Sequence, residues 1–192
     1  MTVKTDAEGI AAAAAAAAKA GGLPPVHLWN PPDCGDLDME IRADGTWFHE
    51  GTPIGRPGLV RLFSTILRKE GAKYFLVTPV EKVRIRVEDA PFVAVDADID
   101  GEGRAQAVTF RTNVGDSVTA GPDRPVRVER APETGEPRPY VVVRANLEAL
   151  IDRKTFYRLV EAGAHQEVDG ESWFGLWSGG AFFPVIPSRE LG

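Results

Sequence analysis

The chain has 192 residues, of which 43% are hydrophobic and 26% charged, so it can form one domain or two small ones with buried cores. A formal net charge of −6 argues against general coating of nucleic acid, because proteins with that activity carry an excess of cations. The longest apolar run, residues 10–18, is shorter than the roughly 18 residues that cross a bilayer, so we expect no membrane insertion. The single cysteine, Cys34, excludes an internal disulfide and indicates a reducing, cytoplasmic location.

The N-terminal segment is rich in alanine. Residues 18–20 resemble the cleavage site of a secretory signal, but Asp6 and Glu8 occupy positions where such signals carry cations. Alanine has the highest helix propensity and little side chain to pack. The sequence therefore favours a flexible, helix-prone tail that, with the Pro-rich entry after it, covers residues 1–31.

The next segment mixes strands with one helix. The Asp44-Gly45 pair predicts a hairpin turn between short strands at residues 39–41 and 47–49. Apolar residues at helical spacing, followed by a glycine, predict a helix over residues 58–70. Two strands are expected after it, at residues 74–78 and 81–87.

The second half is mostly β. Strands are expected at residues 92–99 and 105–112, at residue 118, and at residues 125–128, 140–143, 174–177 and 182–186. Residues 131–139 hold three prolines and are expected to form a loop, and residues 153–162 a short helix. The fold class is α+β with two small domains: an N-terminal α+β domain at residues 32–92 and a C-terminal β-rich domain at residues 93–188.

A short internal repeat links the two halves. The Val-Glu-x-Val phrase at residues 80–83 follows the strand at Tyr74, and the Leu-Glu-x-Leu phrase at residues 147–150 follows the strand at Tyr140. The matches are short, so duplication and coincidence both stay open.

A basic stretch stands out within the acidic chain. Between Arg56 and Arg86 there are eight Lys/Arg and two Asp/Glu. Arginine suits phosphate because its planar guanidinium donates two hydrogen bonds in fixed geometry, and nearby aromatic rings offer a stacking surface for a base. The alternative is a solvated face neutralised by the acidic residues at 88–102. The cations expected to share a helix face or a strand face are Arg61 and Arg68, and Lys82, Arg84 and Arg86.

Other motifs give no catalytic or metal-binding assignment. Asp96, Asp98 and Asp100 are spaced like the start of a calcium loop, but position twelve is Ala107 and a strand precedes them. The histidines and Cys34 lack zinc-site spacing. We therefore assign no catalytic residue, no metal and no cofactor.

Two phrases combine aromatic, polar and glycine residues, at positions 109–116 and 177–184. Such mixtures line ligand clefts, where a few polar groups fix orientation within an apolar wall. They also form ordinary turns between strands, and the sequence leaves both readings open.

Several phrases together resemble the bacterial domain-of-unknown-function family 1285 (DUF1285). They occur in the family's order and cover about residues 32–187. The phrases lie at residues 44–48, 53–63, 77–83, 87–92, 112–116 and 177–184.

The resemblance implies an α+β N-terminal domain, a C-terminal β-roll superficially like pleckstrin-homology domains, and related structural repeats. The family has no established activity. It suggests a ligand at the domain interface and a role in bacterial signal transduction, and it offers no catalytic residues to carry over.

We therefore expect a non-enzymatic binding or sensory module with an anionic, nucleotide-like or nucleic-acid-like ligand between the domains. The cations would meet phosphate, the amide and the carboxylate would meet polar groups, and an indole would stack. The expected ligand-binding residues are Trp47, Arg61, Lys82, Asn113, Asp116 and Trp177.

Two alternatives remain open. One is a small hydrolase or transferase acting on phosphoesters through carboxylates such as Glu81, Glu88, Asp89 or Asp116. The other is an interaction module, including a homo-oligomer, whose aromatic phrases pack against a partner.

Overall fold

The computed structural model describes residues 6–18 and 21–192, which divide into two compact units at the boundary between Asp89 and Ala90. Both units combine helix and sheet, which confirms the α+β class and the presence of two domains. Lys19 and Ala20, part of the signal-like cleavage sequence, lie outside the described residues.

The first unit contains two helices and a six-stranded sheet in the order β3-β2-β1-β6-β5-β4. The central strands β1 and β6 are parallel and the other neighbours antiparallel. The elements are α1 (Ala7–Ala18), β1 (Asp33–Ile41), β2 (Trp47–His49), β3 (Thr52–Pro53), α2 (Pro57–Ser64), β4 (Leu67–Glu70), β5 (Lys73–Val77) and β6 (Lys82–Val87).

The alanine-rich segment forms the helix that its propensity predicts, and this helix is packed. Ile10 and Ala14 on α1 are fully buried, and α1 contacts α2. The expectation of a tail with little to pack against is therefore wrong for α1. Alanine side chains let two helices approach closely, so a weakly apolar helix still buries one face.

The predicted helix over residues 58–70 is too long. The helix α2 ends at Ser64, where the hydroxyls of Ser64 and Thr65 donate to the carbonyl oxygens of Arg61 and Leu62, both at 2.6 Å. Hydroxyls that bond to nearby backbone groups compete with helix continuation. Strand β4 follows, and Gly71 (φ 59°) lies in its turn to β5 instead of ending a helix.

The second unit contains one helix, a six-stranded sheet in the order β10-β11-β12-β7-β8-β9, and a three-stranded sheet in the order β13-β14-β15. The elements are β7 (Phe92–Asp100), β8 (Ala107–Thr112), β9 (Ser117–Thr119), β10 (Val126–Arg130), β11 (Pro137–Arg144), β12 (Leu147–Ile151), α3 (Arg153–Glu161), β13 (Ala164–Val168), β14 (Glu171–Ser178) and β15 (Ala181–Pro187). The helix predicted at residues 153–162 is confirmed. Strands β12 and β13 were not predicted, and β11 begins inside the expected loop.

The two six-stranded sheets share one topology. Counted along the chain within each unit, the strand order is third-second-first-sixth-fifth-fourth, and the first and sixth strands are the parallel pair in both. The sequence repeat at residues 80–83 and 147–150 falls at the start of the sixth strand in each unit. This agreement supports duplication.

Candidate functional site

The basic face of β6 forms as predicted but is paired with carboxylates. Val83 and Ile85 are buried, and the cations between them point outward. Arg84 lies 3.1 Å from a carboxylate oxygen of Asp36, and Arg86 lies 2.8 Å from Asp38. The parallel neighbour β1 supplies both carboxylates, and it pairs Asp36 with Arg84 and Glu40 with Arg86 across an irregular register.

Two of the acidic residues after position 88 have partners within the second unit. Asp96 and Asp98 pair with Arg111, and Asp96 also pairs with Arg158. A hydrogen bond from the Ala97 backbone N–H, followed by the bonds from these two guanidinium groups, lowers the pKa of Asp96 to about 2.

Arg68 does not share a helix face with Arg61, because it lies on β4. Its guanidinium donates to the carbonyl oxygens of Val26 at 2.9 Å and Trp29 at 2.7 Å. Arg68 therefore holds the segment before β1 against the sheet, which is a structural role.

The ligand-binding residues expected in the first unit do not come together. Trp47 is only 1% exposed and stacks on Phe63 of α2, with ring centres 6.1 Å apart, so its indole is not available to a base. Lys82 lies on the opposite face of the sheet, 3.1 Å from a carboxylate oxygen of Glu70. The sheet thus separates Lys82 from Trp47 and from α2, which carries Arg61.

The residues expected in the second unit fall into two places. Asn113 and Asp116 belong to the turn between β8 and β9, and Trp177 lies on β14 in the other sheet. The Asn113 side chain accepts from the Val93 backbone N–H at 3.0 Å, and Asp116 lies 2.8 Å from the Arg144 guanidinium.

Trp177 is partly exposed and has a cation beside it. Its ring lies 5.3 Å from that of Phe182, and the guanidinium of Arg104 lies 5.2 Å from the indole. Its backbone carbonyl accepts from the side chain of Gln106 at 2.9 Å. The indole ring of Trp177 is therefore accessible to a ligand.

Two of the carboxylates considered for acid–base chemistry are engaged by other groups of the fold. Glu88 accepts from the Ala43 backbone N–H at 2.8 Å, and Asp116 pairs with Arg144. Burial, and secondarily the charge of Asp6, raises the pKa of Glu81. Across residues 6–18 and 21–192, no group of three or more His, Cys, Asp or Glu side chains is arranged to hold a metal ion.

A cavity of about 430 Å³ lies beside α3 in the second unit, and we call it the α3 cavity. That volume falls within the range of small-molecule sites, roughly 300–1,000 Å³. Its walls come from β11, from the end of β12 and from the first turns of α3. The lining residues used below are Glu136, Arg138, Arg153, Phe156 and Tyr157.

The start of α3 places a cation and an aromatic ring on one side of the cavity. The Asp152 side chain accepts from the Thr155 backbone N–H at 2.8 Å, which fixes the first turn of the helix. Arg153 and Tyr157 are four residues apart and therefore share a helix face. Tyr157 is 60% exposed, so its ring is accessible from solvent.

The cavity is cationic overall. Arg138 reaches it from β11, and Arg153 reaches it from the helix. Glu136 is the carboxylate in the lining, and it lies 3.4 Å from Arg153. Both partners of this pair are well exposed, so the pair is weak and an incoming anion can compete for the guanidinium.

Sequence reasoning missed this site because its cations lie outside the basic stretch on which the expected site was based. Arg138 lay in the expected loop, and Arg153 lay between Asp152 and Lys154 at the start of a predicted helix. The available signal was the placement of Arg153 and Tyr157 one helical turn apart.

Comparison with protein families agrees with the two-unit division. The model described as "Domain of unknown function (DUF1285), N-terminal domain" matches residues 24–90, and "Protein of unknown function (DUF1285), C-terminal domain" matches residues 91–185. The chain belongs to the DUF1285 family. No curated protein matches it.

Two solved structures of DUF1285 proteins are similar to this chain. One, from Silicibacter pomeroyi DSS-3, is 60% identical, with 95% of this chain and 97% of that chain covered and a TM-score of 0.86. Another, from Shewanella baltica OS155, is 27% identical, with 66% of this chain and 92% of that chain covered and a TM-score of 0.51. In the part of this DUF1285 chain that the structure describes, no helix is both long and apolar enough to cross a membrane.

Proposed function

We propose that this DUF1285 protein is a binding module and that its α3 cavity takes an anionic ligand with an aromatic ring, such as a nucleotide. The observation that carries the proposal is the lining, in which two guanidinium groups and two aromatic rings border one cavity of about 430 Å³. A signalling role for the bound state stays a prediction.

The cations suit a phosphate group. A guanidinium can donate two parallel hydrogen bonds to phosphate oxygens, and Arg138 and Arg153 approach from different elements. Hydrogen bonds to charged groups are worth about 1.5–3 kcal/mol each, so loss of either guanidinium should weaken binding measurably. Negative charge is also favoured near the first turn of a helix.

The aromatic rings suit the base. The exposed ring of Tyr157 gives a flat surface without needing a conformational change. Stacking of a base on an aromatic side chain contributes about 1–3 kcal/mol and tolerates any base. The proposal therefore specifies a charged group and a ring in the ligand but no particular base.

Isothermal titration of the full chain at low salt tests the proposal. The probes are purine and pyrimidine nucleoside monophosphates, a cyclic nucleotide, a short oligonucleotide and inorganic phosphate. We expect heat from nucleotides, a weaker signal from phosphate, and weakening by added salt. Absence of heat from every probe would exclude the proposal.

Matched variants locate the site. Arg153→Gln and Tyr157→Ala should each weaken nucleotide binding about tenfold or more, as expected for a loss of about 1.4 kcal/mol. Lys154→Gln is the control, because this exposed neighbour carries the same charge but does not line the cavity. Equal loss in Lys154→Gln would show a general charge effect. Loss confined to Arg61→Ala or Lys82→Ala would place binding on the first unit.

A further inference from the structure

A second cavity, of about 450 Å³, lies within the first unit, and we call it the α1 cavity. Its lining is mainly apolar and comes from α1, α2 and strands β1 and β2. The lining residues are Ala7, Glu8, Ala11, Met39, His49, Ile54, Arg56, Leu59 and Phe63.

The α1 cavity exists because α1 presents small side chains on this side. Ala7 and Ala11 are four residues apart and share a helix face, and they fill little of the space facing Met39, Leu59 and Phe63. The helix is nevertheless docked, since Ile10 and Ala14 beside them are fully buried. The space is a half-open cleft on the packed unit, because Glu8 and Arg56 in its lining are exposed while Met39 and Phe63 are buried.

The polar groups in the lining are few. Arg56 directly precedes α2 and carries a permanent positive charge. His49 lies on β2, two residues after the buried Trp47. Glu8, on α1, is the carboxylate in the lining. Because the carboxylate of Glu8 offsets one positive charge, a phosphate dianion would be compensated less well in this lining than a group with a single negative charge.

We propose that the α1 cavity binds a hydrocarbon-chain carboxylic acid, with the chain against the alanine face of α1 and the carboxylate toward Arg56 and His49. The site is separate from the α3 cavity and does not depend on the proposed nucleotide site. An apolar chain gains about 0.8 kcal/mol for each methylene removed from water, so affinity should rise with chain length until the cavity is full.

Titration of the full chain with dodecanoate, followed by isothermal calorimetry or native mass spectrometry, tests the proposal. We expect one bound molecule, and about tenfold weaker binding of dodecanol, which has the chain without the carboxylate. Arg56→Gln should weaken dodecanoate binding about tenfold and leave dodecanol binding unchanged, because the guanidinium contacts only the head group. Failure of dodecanoate to bind would overturn the proposal.

Filling the cavity gives the second test. Ala11→Leu should reduce dodecanoate affinity at least tenfold, because the larger side chain takes the volume of the hydrocarbon chain. Ala12→Leu is the matched control, since residue 12 is exposed on the same helix and does not line the cavity. Equal affinity in the two variants would overturn the proposal.

Photolabelling keeps the test independent of any effect of the substitutions on folding. A diazirine-bearing dodecanoate should label peptides from α1, α2 and β2 of the unmodified chain, as mapped by mass spectrometry. Labelling confined to the second unit, or spread evenly over the surface, would exclude this site.

Discussion

Asp116 was expected to bind ligand, but its ion pair with Arg144 predicts that it contributes to the stability of the fold. The carboxylate and the guanidinium are 2.8 Å apart, with side chains 27% and 17% exposed. The guanidinium also lies 5.0 Å from the ring centre of Phe92. A hydrogen bond to a charged group contributes about 1.5–3 kcal/mol, and partial exposure lowers this, so we expect Asp116→Asn to reduce the free energy of unfolding by about 1–2 kcal/mol.

A double-mutant cycle isolates the pair. The variants are Asp116→Asn, Arg144→Met, which keeps a long side chain without the charge, and the double substitution. Urea unfolding should give a coupling energy of about 1–2 kcal/mol, from the transition reported by the second unit's tryptophans, Trp173 and Trp177. A coupling below about 0.3 kcal/mol would refute the structural role. Nucleotide affinity should be unchanged in Asp116→Asn, since Asp116 does not line the α3 cavity.

Three further predictions concern stability. Asp96→Asn should lower the melting temperature at neutral pH and have little effect near pH 2, because the pKa of Asp96 is lowered from 3.8 to about 2 and its contribution is lost as pH falls through that value. Glu81→Gln should raise the melting temperature at neutral pH but not in acid, because burial and then Asp6 raise the pKa of Glu81, so the folded state favours its protonated form. Gly175→Ala should lower the free energy of unfolding in urea by about 1–3 kcal/mol, since a Cβ atom there would lie 2.2 Å from a backbone carbonyl oxygen. Gly58→Ala has open space around it and should stabilise α2 by about 0.5–1 kcal/mol.

The hydrophobic pattern predicted most elements of both units, but it gave the wrong element where the same spacing of apolar residues fits both a helix and a strand. Leu59, Leu62 and Phe63 mark a helix, and Ile66 and Leu67 continue the same spacing. Ile66 and Leu67 also fit the start of a strand, and the pairing of β4 with β5 makes this segment a strand. Such pairing is a tertiary effect, so a local pattern cannot reveal it.

The candidate site was less predictable than the fold, because the order of charged residues in the sequence does not show which of them lie close together in the folded protein. The cations of β6 formed the strongest signal in the sequence, yet the parallel strand β1, more than 40 residues earlier, neutralises Arg84 and Arg86. Parallel pairing joins distant segments, so their charges can be compared only after the topology is known. Trp47 is a second example, since the sequence does not decide whether an aromatic residue beside a turn packs in the core or offers an exposed ring for stacking.

The shared strand order separates a repeated framework from the helices that wall the two proposed sites. Each unit has the same six-strand topology, but the helices differ: α2 lies between the third and fourth strands of the first unit, and α3 follows the sixth strand of the second. Each cavity is walled partly by those unit-specific helices, α1 and α2 in one case and α3 in the other. The six strands therefore form a common framework, and the helices give the two cavities different lining residues, which is why we propose a different ligand class for each.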